Sequence, residues 1–387
     1  MTDRTINICV MGATGIAGRS MVMKTLLYSQ CHVTMLGRSR DKLESTKEGI
    51  LQSLVDQGLT EVSTRLSLQE IDVEKVLSTN ILDLEEILQG KDILINAMPP
   101  IEREKTLNLA KLLTKLGMDY MDPHISPETI KLFKQFEQEA ILNKSNIVCQ
   151  CGMYPGMLAL LVRAAEKYLP NMTDAHALIL TREEGGLAAT SGVSDVTDFM
   201  KESGSLVMRD GKWQSDTSFS RKFHFLSVDK TLTCYPMEMD EMKHLNIPSL
   251  KNVGSYIAEL GFFADIVMLG LQLSLKHAPI FANRLTKMLS YASSKIKAPF
   301  GAAIQVNALD STTGQSVTLS LFHERVYELT TLSMMSVVEQ LVENRGNGSG
   351  GVFYGGLYAD PWKFISSCEK KGVRMDLVSQ GIDVKSN

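Results

Sequence analysis

The sequence predicts an α/β fold, a doubly wound parallel sheet followed by a second, α+β domain. Three observations predict it. An unbroken apolar run over residues 6–11 leads straight into Gly12-x-x-Gly15-x-x-Gly18 and a helix-forming stretch. That is how a buried parallel strand turning through glycines into a helix reads. Strand-like and helix-like segments then alternate to about residue 150, which suits right-handed crossovers. Beyond that point the alternation stops, and residues 306–309 and 316–322 flank a Thr-Thr-Gly turn as a hairpin does.

Each glycine of the first turn has its own task. Gly12 allows the sharp turn, Gly15 lets the backbone approach a pyrophosphate, and Gly18 lets helix and strand pack closely. The helix that starts there aims unpaired N–H groups and the positive end of its dipole at phosphates. The second strand is expected at 32–37 and is followed by Arg38, Ser39 and Arg40. An NAD site places Asp or Glu about 20 residues beyond the glycines, on the ribose hydroxyls. In this chain that place holds Arg38 beside Ser39. A guanidinium can grip a 2′-phosphate through two hydrogen bonds, and Ser39 can add a third. The expected cofactor is therefore NADP(H); the competing reading of Arg38 is a solvated loop residue.

Further along, helix is expected over 41–57, a third strand around 76–81 and a short helix at 83–89. The next strand, 92–98, ends in Asn96-Ala97-Met98-Pro99-Pro100, where the prolines stop it and stiffen the loop. Ligands of open α/β sheets lie beyond such carboxyl ends. A helix over 101–116 and a strand over 118–121 lead to Asp122-Pro123-His124. Ser126 then reads as the N-cap and Pro127 as the first residue of a helix running to about 143. A strand at 146–150 leads to Gly152-Met153-Tyr154-Pro155-Gly156. Strands are expected at 175–181 and 219–227, with a small-residue loop at 185–192. The apolar stretch 254–299 reads as mostly helical. Its densest part, 260–275, contains Asp265, Gln272 and Ser274 and falls short of the ~20 apolar residues of a membrane span. It reads as a buried or interface helix, with membrane-surface contact the second option and homodimer contact a use for an apolar face. A long helix over 324–343, a glycine-rich turn at 346–351 and a helix opened by Asp360-Pro361-Trp362 close the chain. The predicted domains are 1–155, 156–325 and 326–387.

Composition sets the outer bounds. Over 387 residues, 44% apolar and 22% charged content are ordinary globular values. A net charge of −4 without a long basic run speaks against a nucleic-acid partner. The six cysteines are sparse, and a first strand starting so early leaves no room for an export segment, so a cytoplasmic location is expected. Cys149-x-Cys151 lies in the strand-like IVCQC with no second pair at zinc-finger spacing, so buried packing and no metal site are expected. HExxH, GxSxG and Walker motifs do not occur.

Taken in order, GATGIAGR, LGRSRDKLE, GKDILINAMPP, LGMDYMD and GMYPG resemble the saccharopine dehydrogenase/reductase-like superfamily. The closing helix, GGV turn and Asp-Pro-Trp helix are similar to that family's C-terminal return onto a Rossmann-type nucleotide domain. The middle is more similar to the branch of saccharopine dehydrogenase-like oxidoreductases and trans-acting enoyl reductases. The resemblance implies Gly12, Thr14, Gly15, Ile16 and Gly18 around the pyrophosphate and Arg38 and Ser39 at the adenosine phosphate. It implies Ala97, Met98 and Pro99 beside the nicotinamide ribose. Near the adenine, where relatives often carry an acidic residue, stand Asn80 and, three positions later, Asp83. Tyr154 stands where many relatives have Asp.

Hydride transfer needs a well-held nicotinamide and a polarised acceptor, and often a proton from the protein. The candidate donors at the sheet's carboxyl edge are His124, Asp122 and Tyr154. The imidazole of His124 makes it the most attractive general acid of the three; its other reading is a loop histidine that packs locally. Asp122 can instead fix the Pro123 turn, and Tyr154 can simply pack. The expected function is an NADP(H)-dependent oxidoreductase acting on a small imine, keto or enoyl substrate. The alternative is a non-catalytic NADP-binding scaffold or redox sensor.

Overall fold

The computed structural model describes residues 5–184, 204–216, 218, 220–277, 281–346 and 348–381. The loop expected at 185–192 lies outside these residues. The chain forms two units, 1–152 with 330–359 and 153–329 with 360–387.

The first unit is built on seven parallel strands. In chain order they are β1 (Asn7–Met11), β2 (His32–Gly37), β3 (Leu66–Glu70), β4 (Ile93–Asn96), β5 (Asp119–Met121), β6 (Asn146–Cys149) and, much later, β15 (Gly351–Tyr354). Their order across the sheet is β15-β6-β5-β4-β1-β2-β3, with every pair parallel. The interior strands are buried almost throughout because helices cover both faces, which explains their unbroken apolar runs. The crossover helices are α1 (Ile16–Tyr28), α2 (Arg40–Asp56), α3 (Val73–Thr79), α4 (Ile81–Leu88), α5 (Arg103–Leu116), α6 (Pro127–Phe133) and α7 (Glu137–Leu142). On α1 the buried set includes Gly18, Met21, Val22, Thr25 and Leu26, the spacing of one helical face. Ser126 caps α6 by accepting from Glu128 N, with Pro127 in the first turn, as its sequence predicts.

Two expectations fail in this unit. The third strand is at Leu66–Glu70, and the expected 76–81 spans the junction of α3 and α4. The apolar letters of VLSTNIL belong to two short helices that bury Leu77 and Leu84. The edge strand β3 is largely exposed apart from Leu66, so it carries little apolar signal. The helix expected to run from 127 to 143 is broken by a 3₁₀ turn, Lys134–Phe136.

The second unit holds a nine-stranded mixed sheet. It contains β7 (Asp174–Arg182), β8 (Leu206–Arg209), β9 (Lys212–Ser215), β10 (Arg221–Phe225), β11 (Lys230–Pro236), β12 (Asn252–Ala258), β13 (Gly301–Leu309), β14 (Ser316–His323) and β16 (Arg374–Gln380). Its main path runs β10-β11-β12-β7-β13-β14-β16, with β12 and β7 parallel and β13 and β14 the expected hairpin. Helix α8 (Met157–Glu166) is buried along nearly its whole length. The start of the stretch expected to be mostly helical, residues 254–258, belongs instead to β12; helices follow as α9 (Phe262–His277) and α10 (Ala282–Ser293).

Helix α11 (Val326–Asn344), β15 and the short α12 (Gly355–Tyr358) bring the chain back to the first unit. Arg345, just beyond α11, reaches the amino edge of the first sheet. Its guanidinium lies 3.5 Å from Asp92 and 3.2 Å from Asp119, and it donates to Gly117 O at 2.9 Å. The two carboxylates are fully buried; Asp92 also accepts from Asn7 N and Asp119 from Asn146 N. Residues 360–387 do not stay with the first unit, contrary to the expected 326–387 block. Asp360 caps α13 (Pro361–Lys370) through Trp362 N and Lys363 N, and β16 then pairs antiparallel with β14.

Candidate active site

The carboxyl edge of the first sheet gathers most of the candidate residues. Gly12 has φ +72°, and a Cβ there would stand 2.8 Å from Ala97 O and 2.9 Å from Met98 N. A Cβ on Gly18 would overlap the carbonyl of Gly12. The first position is therefore fixed by conformation and crowding together, the second by crowding alone. Gly15 N donates to Gly12 O at 2.9 Å, and Gly15 N-caps α1 without a side-chain hydrogen bond. The first turn carries no acidic residue, and Thr14, Gly15 and Ile16 at its start are exposed. A nucleotide pyrophosphate fits such a cradle.

At the end of β2, Arg38 is exposed and forms no ion pair among the described residues, while neighbouring Arg40 pairs with Glu44. Ser39 Oγ accepts from Lys42 N at 3.4 Å as the cap of α2, which leaves its own proton free to donate. Ile71 N donates to Gly37 O at 2.8 Å, so β3 delivers Ile71 and Asp72 to the same edge. The sequence reading missed these two because it set the strand too late. Asn80 and Asp83 instead lie at the α3–α4 junction, exposed and bonded to each other, Nδ2 to Oδ1, at 2.7 Å.

Beside the glycine turn, Ala97 N donates to Met11 O, and Asn96 Oδ1 accepts from Met98 N at 3.1 Å. Asn96 Nδ2 in turn donates to Tyr120 Oη at 3.0 Å. Tyr120 is fully buried, and burial, reinforced by the nearby Asp122 carboxylate, pushes its phenol well up. His124 Nε2 lies 2.8 Å from Met98 O and must donate to that carbonyl. Its Nδ1 faces Asp122 Oδ1 at 3.6 Å. Asp122 is fully buried and accepts from the backbone N–H of His124 at 2.9 Å and of Gln150 at 3.3 Å. Gln150 has φ +61° and ties its side chain to Ile125 O. Asp122 and His124 thus pin the ends of β4, β5 and β6 together around residues 97–98. Pro99 is exposed on the rim of that loop. Asn96 and Gln150 were not singled out from sequence; the only cue was Asn96 closing a strand before Ala97.

Tyr154 belongs to the second unit and is half-buried. In the same unit Gly156 N, at the start of α8, donates to Glu241 Oε1 at 2.9 Å. Glu241 is fully buried, which pushes its carboxyl up to about 7. All six cysteines are free and buried, Cys149 and Cys151 among them. Among the described residues no metal-holding group of His, Cys, Asp and Glu occurs, and no helix is long and apolar enough to cross a membrane.

Residues 8–164 match the family described as the saccharopine dehydrogenase NADP binding domain. The match covers the first part of the chain, residues 8–164 of 387. Such a domain implies NAD(P) as the nucleotide, and the family is typically one of NAD(P)-dependent oxidoreductases. Apo saccharopine dehydrogenase (L-Glu forming) from Saccharomyces cerevisiae is similar in fold over 97% of this chain and 100% of its own, with a TM-score of 0.65 and 11% identity. A C. glutamicum DAP dehydrogenase in complex with DAP (TM-score 0.47, 12% identity, 93% and 95% covered) is a weaker likeness. So is a dehydrogenase from Chromobacterium violaceum (TM-score 0.42, 8% identity, 95% and 93% covered). No curated protein sequence matches the chain.

Proposed function

We propose that this protein is an NADP(H)-dependent oxidoreductase that moves a hydride to or from a small imine, keto or enoyl substrate. The observation that carries the NADP(H) choice is Arg38, an exposed guanidinium at the end of β2 with no ion pair among the described residues, beside a hydroxyl able to donate. A 2′-phosphate would gain charge-assisted hydrogen bonds there, whereas bare ribose hydroxyls would gain little. When bound, the nicotinamide supplies the hydride. Thr14, Gly15 and Ile16 would border the pyrophosphate, and Ala97, Met98 and Pro99 the nicotinamide ribose. Asn80 and Asp83, at a helix junction, fit an adenine role less well than Ile71 and Asp72.

His124 and Asp122 serve this reading best as positioning residues. The ring proton on Nε2 is spent on Met98 O, and Asp122 spends Oδ1 on two backbone N–H groups. Tyr154, in the second unit, is the third candidate and is tested beside them. A second reading, a nucleotide-binding scaffold or sensor without turnover, draws on the same fact that two candidate donors are committed to backbone.

Fluorescence titration of the full chain with NADPH and NADH tests the proposal. Arg38→Asp is expected to reverse a clear NADPH preference, weakening NADPH by roughly two orders of magnitude. Equal affinity of the wild type for both nucleotides would sink the NADP(H) assignment. Once a hydride acceptor is found among imines, ketones and enoyl compounds, Tyr154→Phe should lower turnover at least about a hundredfold with NADPH affinity kept. His124→Ala should chiefly weaken nucleotide binding. If neither Tyr154, His124 nor Asp122 affects the rate, the donor proposal fails.

A further inference from the structure

Helices α9 and α10 form a hairpin inserted between β12 and β13, with a small core of its own. Leu260, Ala264, Val267, Leu271, Leu289 and Ala292 are buried together, backed by Met268, Leu285 and Ile296. Tyr235 Oη donates to Asp265 at 3.4 Å, and Leu260 N to the same carboxylate at 2.9 Å, which anchors the hairpin's base. Its outer surface is unusual for a globular domain. Phe263 (61%), Ile266 (52%), Phe281 (53%) and Tyr291 (65%) are more than half exposed, with Leu269 and Met288 close behind.

From residue 266 onward the hairpin's sequence carries charges of one sign. Between residues 266 and 297 there is no Asp or Glu, whereas Lys276, Arg284, Lys287, Lys295 and Lys297 are present. On α10 and just beyond it, Arg284, Lys287, Met288, Tyr291 and Lys295 recur at three- and four-residue steps and are all exposed. That spacing puts them on one face, and Lys295 Nζ sits 5.4 Å from the Tyr291 ring centre. Aromatic and aliphatic side chains framed by cations, on helices too short to span, suit the boundary between acyl chains and anionic headgroups. The chain as a whole carries −4, so this patch opposes the overall charge and would be repelled by a cationic or neutralised by an acidic surface.

We propose that the α9–α10 hairpin docks this protein on an anionic lipid bilayer surface, with Phe263, Ile266, Phe281, Met288 and Tyr291 entering the interface and Arg284, Lys287 and Lys295 meeting the headgroups. A second copy of the chain could cover the same apolar groups, but like-charged faces would then oppose each other.

Vesicle flotation of the full chain tests it, with phosphatidylcholine alone and with about 30 mole per cent phosphatidylserine. Flotation is expected only with the anionic vesicles and should fall steeply with added salt. Two variants keep the test independent of folding damage, because every changed side chain is exposed. Ile266→Ser/Met288→Gln/Tyr291→Ser and Arg284→Glu/Lys287→Glu/Lys295→Glu should each weaken binding at least about tenfold. Unchanged NADPH titration and melting would confirm their fold, and would separate this result from the nucleotide assignment. Wild type that stays unbound, or floats equally with both vesicles, overturns the proposal. So does a concentration-dependent dimer in sedimentation that the apolar variant dissociates while vesicles go unbound.

Discussion

At the scale of single residues, burial and backbone crowding give the sharpest expectations. Glu241 carries its proton more tightly folded than unfolded, about 7 against an ordinary 4.5. Its contribution to stability is therefore full below about pH 4.5 and is lost as the pH rises through about 7. The loss across that interval is of order 3 kcal/mol. Glu241→Gln keeps an acceptor for Gly156 N–H and has no proton to lose. Thermal melts from about pH 5 to pH 8 should fall for the wild type and stay flatter for the variant. At Gly12 an added Cβ meets backbone that has no room to yield. Gly12→Ala should cost at least about 2 kcal/mol and abolish NADPH binding. Gly58→Ala, at φ +86° with nothing within 4 Å, should cost only about 1 kcal/mol and leave binding intact. Chemical denaturation and nucleotide titration of the pair check both. The tight turn at Gly12 and the position of Arg38 at the end of β2 were legible from spacing alone. The ties of Asp122 and His124 were not, because no pattern of letters says which backbone groups a buried carboxylate will meet.

At the scale of elements, legibility followed burial. β1, β2 and β4 stand within a residue or two of where their apolar runs place them, because both faces are covered. β3 and β16 were misplaced or missed, being edge strands with mixed exposure. The strands β8 and β9, four residues each, are too short to announce themselves. The same contrast between buried and exposed governs the Arg345 cluster. Arg345→Met would leave Asp92 and Asp119 buried without their cation, a loss of about 3–5 kcal/mol near neutral pH. Burial already raises the Asp119 carboxyl, and Arg345 opposes that rise. Without the arginine the folded carboxyl titrates higher still, so the deficit should shrink as the medium is acidified. Urea unfolding of wild type and variant at two pH values measures it.

At the scale of the whole molecule, the two units share one chain that passes between them at 152, 329 and 359. The family match ends at residue 164, yet the first sheet needs β15 and the Arg345 cluster from far downstream. An excised 1–152 fragment should therefore be insoluble or fail to bind NADPH. The same fragment joined by a flexible linker to 330–359 should bind it. Solubility and nucleotide titration of the two proteins decide the matter, and a stable, binding 1–152 would mean the returning segment is dispensable.

The late arrival of β15 also bears on how the protein is made. Synthesis finishes β6 at residue 149, but its parallel neighbour begins only at 351. While the ribosome works through the intervening second unit, the edge of the nascent nucleotide domain offers unpaired backbone groups to any passing strand. Arrested chains that stop before 351 should thus be the ones that recruit chaperones or aggregate. The period of greatest hazard for this protein falls during translation, before its nucleotide domain has its last strand.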